Sequence, residues 1–349
     1  MQRPVVLISI LWLSATFAAA DGYQLAVSNE KSNDVTIIDG PSGKVLGTVP
    51  ASPRPRGIHP SPDGKFIYVA LSGTAPEGPP AARAKPATPP PPPAPRPPVK
   101  KNRGGDGIGV IDVKEMKLLK ILPSGTDPEQ FDIDTDGKLI YISNEDGRAA
   151  SILDVGMEKL LATIRVQEEP EGVRLSRDGA LCYITCETEG YLCLIDTKER
   201  KSVGEIHVDG RPRDLAFSLD GAKAFVPSET EGVVRVLDTA MRKVIATIQL
   251  PEGSRPMACA MSADGKRLYV SNGRAETISV IDPDQNKVIG SIRAGARVWG
   301  LAISPDGKFL YSANGPSNDI SIIDLDTQKE FTRIKCGEGP WGICVVKQN

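Results

Sequence analysis

The residues best suited to chemistry recur in step with a repeated proline. The position after that proline, or after the residue replacing it, carries Arg56, Glu129, Glu171, Arg213, Met257, Trp299 and Trp341. The position before it carries Arg54, Asp127, Glu169, Arg211, Arg255, Arg297 and Gly339. A third series reads Glu30, Ser72, Glu145, Glu187, Glu229, Gly273 and Gly315. Arginine offers a planar fork of donors to carboxylates and phosphates, and tryptophan offers a flat face to a planar or apolar ligand. Arg56, Glu129, Glu171, Arg213, Trp299 and Trp341 are therefore the expected ligand contacts, with Glu30, Glu145, Glu187 and Glu229 as a second ring. Glu171 with Arg213 is the best pair for acid–base work. Several glutamates together could hold a hard cation such as Ca²⁺, which favours carboxylate oxygen. No Asp-rich loop of a dedicated site accompanies them, so neither a metal nor a cofactor is expected. The bland alternative is that the arginines and glutamates pair with each other and plug the space they surround.

The rest of the chain carries few chemical signals. It has two histidines, His59 and His207, neither in a metal-binding or catalytic spacing, and His59 reads as a hydrogen-bonded core residue. There is no Cys-x-x-Cys-His, His-Glu-x-x-His or Gly-x-Ser-x-Gly, and no glycine loop for phosphate. No catalytic residue is assigned. Of the six cysteines, Cys182 and Cys186 are too far apart along one strand to bridge, whereas Cys186 and Cys193 flank a turn and could oppose each other. A net charge of −2 gives no overall field to recruit nucleic acid.

The elements that position these residues repeat. Asp-Gly turns begin at Asp63, Asp136, Asp178, Asp220, Asp264 and Asp306, with gaps of 73, 42, 42, 44 and 42 residues. Each is flanked by apolar runs, as in a β-hairpin. An aspartate closing a third strand recurs at Asp39, Asp112, Asp154, Asp196, Asp238, Asp282 and Asp324. Four strands in about 42 residues is the period of a β-propeller blade. The chain is read as an all-β, seven-bladed propeller of four-stranded antiparallel blades. The last strand, from Trp341, lacks successors, and the first, from Tyr23, lacks a predecessor. Joined, they complete one blade and leave no free sheet edge. In this topology the three series above share one rim.

Residues 1–20 read as a signal peptide: Arg3, an apolar run from Val5 to Phe17, then Ala18-Ala19-Ala20. The run is too short for a transmembrane anchor, and a periplasmic or secreted location follows. Residues 21–349 form the propeller, interrupted at about 74–105 by an insertion with twelve prolines, expected to be a mobile loop.

Arg54-Pro55-Arg56-Gly57-Ile58, Asp127-Pro128-Glu129, Glu169-Pro170-Glu171-Gly172, Arg211-Pro212-Arg213, Arg297-Val298-Trp299 and Asn314-Gly315-Pro316-Ser317-Asn318-Asp319 resemble the YVTN β-propeller repeats. The resemblance is to the subfamily associated with PQQ-dependent alcohol catabolism. It implies a periplasmic accessory or binding protein beside quinoprotein dehydrogenases and their c-type cytochromes. A monomer binding a small molecule or such a partner, rather than an enzyme, is expected. Three alternatives remain open: a lactonase-like hydrolase, since seven-bladed lactonases are similar in architecture; a haem d1-type propeller, whose axial ligand could only be His59 or His207; and a surface-layer or adhesion module.

Overall fold

The computed structural model describes residues 22–73 and 104–347. The leader expected at 1–20 and nearly all of the insertion at 74–105 lie outside them. Every strand among the described residues belongs to one of seven four-stranded antiparallel sheets arranged as a propeller. Numbered by their inner strands, blades 1 to 6 comprise residues 55–71 with 107–122, 128–165, 170–207, 212–249, 256–293 and 298–335. Blade 7 takes its inner strand from Pro340–Lys347 and its outer three from Tyr23–Asn29, Asp34–Asp39 and Val45–Pro50, the closure expected from the ends of the repeat. Among the described residues no helix is long and apolar enough to cross a membrane.

Each hairpin turn is fixed locally. In blade 1 Gly64 has φ of 70°, and the Asp63 carboxylate accepts the Lys65 N–H at 3.1 Å and the Ser61 hydroxyl at 2.6 Å. The same Ser–Asp pairing recurs at Ser176–Asp178, Ser218–Asp220, Ser262–Asp264 and Ser304–Asp306. The blades themselves meet through side chains. Seven apolar clusters each join two neighbours: one packs Ala26, Val35 and Ile37 of blade 7 on Ile67, Val69 and Leu71 of blade 1. Another packs Tyr23 and Leu25 of blade 7 on Tyr311 and Ile320 of blade 6, with the two tyrosine hydroxyls 2.5 Å apart.

Two expectations need correction. Closure does not abolish sheet edges, because every blade is a separate sheet and its outermost strand stays unpaired at the circumference. Blades join by packing, not by hydrogen-bonded ladders. Cys186 and Cys193 are not directly opposed either: the register sets Cys193 against Ile184 and Cys186 against Tyr191. Their sulfurs lie 3.5 Å apart as thiols, and all six cysteines are free.

Candidate functional site on the rim

The inner strands place the site by two local devices. The first is a bulge after the proline: in blade 1 the register jumps from Pro55↔Leu71 to Ile58↔Val69, and blades 2, 3, 5 and 6 do the same. A bulge re-aims the residue it contains, here Arg56, Glu129, Glu171, Met257 and Trp299. Blade 4 departs further, keeping only Ala216–Phe217 as a regular inner strand plus a bridge from Pro212 to Ser228. The second device is the glycine two residues after the proline. A Cβ on Gly57, Gly172, Gly300 or Gly342 would stand 2.6–2.9 Å from a carbonyl oxygen of the next inner strand, so this crowded approach admits only hydrogen. Blades 2, 4 and 5 instead have Gln130, Asp214 and Ala258 there, and all three line the axial space.

The series before the proline is tied to the series ending the second strands. In every blade the carbonyl of the former accepts the N–H of the latter: Glu30 to Gly339, Ser72 to Arg54, Glu145 to Asp127, Glu187 to Glu169, Glu229 to Arg211, Gly273 to Arg255 and Gly315 to Arg297, at 2.7–3.3 Å. These bonds hold both series on one rim. Arg54, Asp127, Glu169, Arg211 and Arg297 adopt left-handed backbone at φ of 52–58°, where Gly339 shows the residue that conformation favours.

Most of the charged candidates are occupied with one another. Arg56 pairs with the buried Glu129, with Glu30 at 3.1 Å and with Glu145 at 3.7 Å. Arg213 pairs with the buried Glu187, with Glu171 at 3.5 Å and with Glu229 at 3.8 Å, while Arg211 shares Glu187. Burial in this crowd pushes the Glu171 carboxyl up to about 8, against the pull of Arg213, with Glu187 and Glu145 adding repulsion. Asp127 rises to about 6, chiefly through burial. Asp127, Glu129 and Glu145 bring carboxylate oxygens within 4.8 Å of one another, but the Arg56 guanidinium already neutralises Glu129. Plugging by mutual pairing therefore describes the charged side of the rim.

The aromatic side differs. Trp299 and Trp341 stack with centroids 5.9 Å apart and planes at 23°, and Arg297 and Arg213 stand over Trp299 at 4.7 and 5.6 Å. Both tryptophans, Glu171, Arg213, Met257, Gln130 and Asp214 line a cavity of about 30 Å³. That is room for about one water, so a larger ligand would extend beyond it. Sequence reasoning passed over Gln130 and Asp214; their only signal was the missing glycine after Pro-x.

The two histidines lie away from this pocket. His59 faces an adjoining axial cavity of about 260 Å³ that also contacts Arg174 and shares Gln130, Asp214, Ala258 and Gly300 with the first, its ring edge-on to Phe131. Burial and the Arg174 charge push its pKa down to about 4, so it is neutral at physiological pH. His207 sits on the outermost strand of blade 3, half-exposed, 3.2 Å from Asp209.

Comparison with known proteins points to the architecture. A family model described as "Lactonase, 7-bladed beta-propeller" matches residues 196–335, less than half of the chain. A candidate 6-phosphogluconolactonase from Bacteroides fragilis is 19% identical with a TM-score of 0.74, over 93% of this chain and 98% of that one. Another from Bacteroides uniformis is 20% identical with a TM-score of 0.72, over 94% and 100%. The dihydro-haem d1 dehydrogenase NirN, in complex with DHE, is 14% identical with a TM-score of 0.64, over 94% of this chain and 76% of that one. A search of curated protein sequences returned no match. The chain is thus similar in fold to lactonase-type and haem d1-type propellers, with the family match confined to residues 196–335.

Proposed function

We propose that the protein is a binding propeller that holds a small organic molecule on the aromatic side of the rim, and that it works as a periplasmic or secreted accessory protein. The observation that carries this reading is the stacked Trp299–Trp341 pair, bordered by Arg213 and Arg297. Trp299, partly exposed and backed by the buried Trp341, offers apolar area on a rigid ring and orients what it holds. The leader-like residues 1–20 support export, and the resemblance of the repeats supports a quinoprotein dehydrogenase as partner. The test is untargeted mass spectrometry of small molecules that purify with wild type and with Trp299→Ala. A molecule retained by wild type and lost from the variant is expected; equal retention would move the site elsewhere.

One observation favours a second reading, a lactone hydrolase. Glu171 lines the rim pocket beside Arg213 with its carboxyl pushed up to about 8, near the pH at which a group can both give and take a proton. As carboxylate it would take a proton from attacking water, and as acid return one to the departing alkoxide. Comparing lactone hydrolysis by wild type and Glu171→Gln tests this, and equal rates would dismiss it. The haem d1 alternative has both histidines away from the rim pocket, and a visible absorption spectrum decides it.

A further inference from the structure

The rim is charged all round, but its charges balance on one side only. Arg54, Arg56, Arg211 and Arg213 each have a carboxylate oxygen within 4 Å. Arg255, Arg274 and Arg297 have no such partner among the described residues; Arg297 rests on the Trp299 ring at 4.7 Å. The cause lies in blades 5 and 6, where the second strand ends in Gly273 and Gly315 instead of the glutamate found in blades 2, 3, 4 and 7. These glycines make room for the neighbouring side chains. A Cβ at Gly315 would stand 3.0 Å from Nε1 of Trp299, and one at Gly273 would stand 2.9 Å from Cγ of Met257. The replacement that lets an aromatic and a thioether lie across the strand ends thus also removes the carboxylates that would neutralise the adjacent arginines. Partial burial, then Arg213 and Arg274, hold the Arg297 guanidinium below its usual range against the opposing pull of Glu229 and Glu30.

We infer that the ligand of this rim is an organic anion with a flat conjugated body, its ring against Trp299 and its carboxylate or similar oxyanion on Arg297. The inference rests on the binding reading above and names the chemical class that the site takes. Arg297 is exposed, and a cation on an exposed aromatic face is held less firmly than by a charge-assisted hydrogen bond. An incoming anion would therefore draw the guanidinium off Trp299, freeing that face for the ligand's own ring. A neutral ring would have to displace Arg297 without recovering its charge.

Equilibrium dialysis of the full chain against 2-naphthoate and 2-naphthamide tests this, because the two probes share a flat body and differ in charge. Wild type should bind naphthoate at least tenfold more tightly, with a preference that shrinks as salt rises. Arg297→Ala should abolish the preference and Arg297→Lys should retain part of it, both melting near the wild-type temperature. Equal binding of the two probes to wild type, lost in Trp299→Ala, would overturn the anion inference and leave the rim reading standing. Binding of neither probe, or binding untouched by Trp299→Ala, would overturn both.

Discussion

Glu171 gives the rim a pH signature that can be worked through. Its carboxyl is buried, at 6% exposure, between Arg213 on one side and the charges of Glu187 and Glu145 on the other. The unfolded chain takes up its proton near the ordinary 4.5 and the folded chain near about 8. Between those values the folded state holds a proton that the unfolded state has lost, so wild-type stability falls as pH rises through the window and is flat on either side. At about 1.4 kcal/mol per pH unit, ionising Glu171 costs the fold on the order of 5 kcal/mol between pH 4.5 and about 8. Glu171→Gln keeps the shape and is neutral in both states. Asp127, raised to about 6, is present in both proteins and cancels in the comparison. Urea midpoints at pH 5, 7 and 9, converted with a common slope, should show the variant nearly level with wild type at pH 5. It should be ahead by about 3 kcal/mol at pH 7 and by about 5 kcal/mol at pH 9. A difference independent of pH, or one widening in favour of wild type as pH rises, would refute this account of the buried carboxyl.

The two arginines over Trp299 should behave differently. Arg213→Ala leaves the buried Glu171 and Glu187 short of a cation and should cost about 3–5 kcal/mol, whereas the exposed Arg297→Ala should change stability by about 0.5 kcal/mol or less; thermal melts of both variants check this, and equal losses would contradict the contrast. Truncation after Pro340 removes a strand whose Trp341, Ile343, Cys344 and Val346 are buried. Each large apolar side chain contributes roughly 1.5–3 kcal/mol, so the truncated chain should lose its cooperative melt, and a sharp transition near the wild-type temperature would show that blade 7 does not depend on this strand. Replacing residues 75–103 by a short Gly/Ser turn should shift stability by about 1 kcal/mol or less, because Gly73 and Gly104 already abut. A loss of several kcal/mol, measured by urea unfolding, would mean that the excised segment packs on the ring.

The sequence by itself determined the propeller. Its evidence was local and repeated: an Asp-Gly turn every 42 residues or so, an aspartate closing each third strand, and two incomplete ends that fit together. Turn geometry and strand alternation depend on neighbours a few residues away, so they can be read in one dimension. The seven carbonyl contacts between Gly339, Arg54, Asp127, Glu169, Arg211, Arg255 and Arg297 and their strand-end partners follow from the same repetition. Tertiary structure decided what the rim residues do with each other. Arg56 reaches Glu129 of blade 2, and Arg213 reaches Glu171 and Glu187 of blade 3. Such partners depend on blade-to-blade geometry and side-chain direction, which composition does not encode. The same holds for Cys186 and Cys193, where the register offsets residues that a turn alone would set opposite. It holds above all for Arg297, one arginine among many in the sequence. Its place on the Trp299 ring appears only when Gly315 of its own blade makes room for that ring and, among the described residues, no carboxylate oxygen comes within 4 Å of the guanidinium.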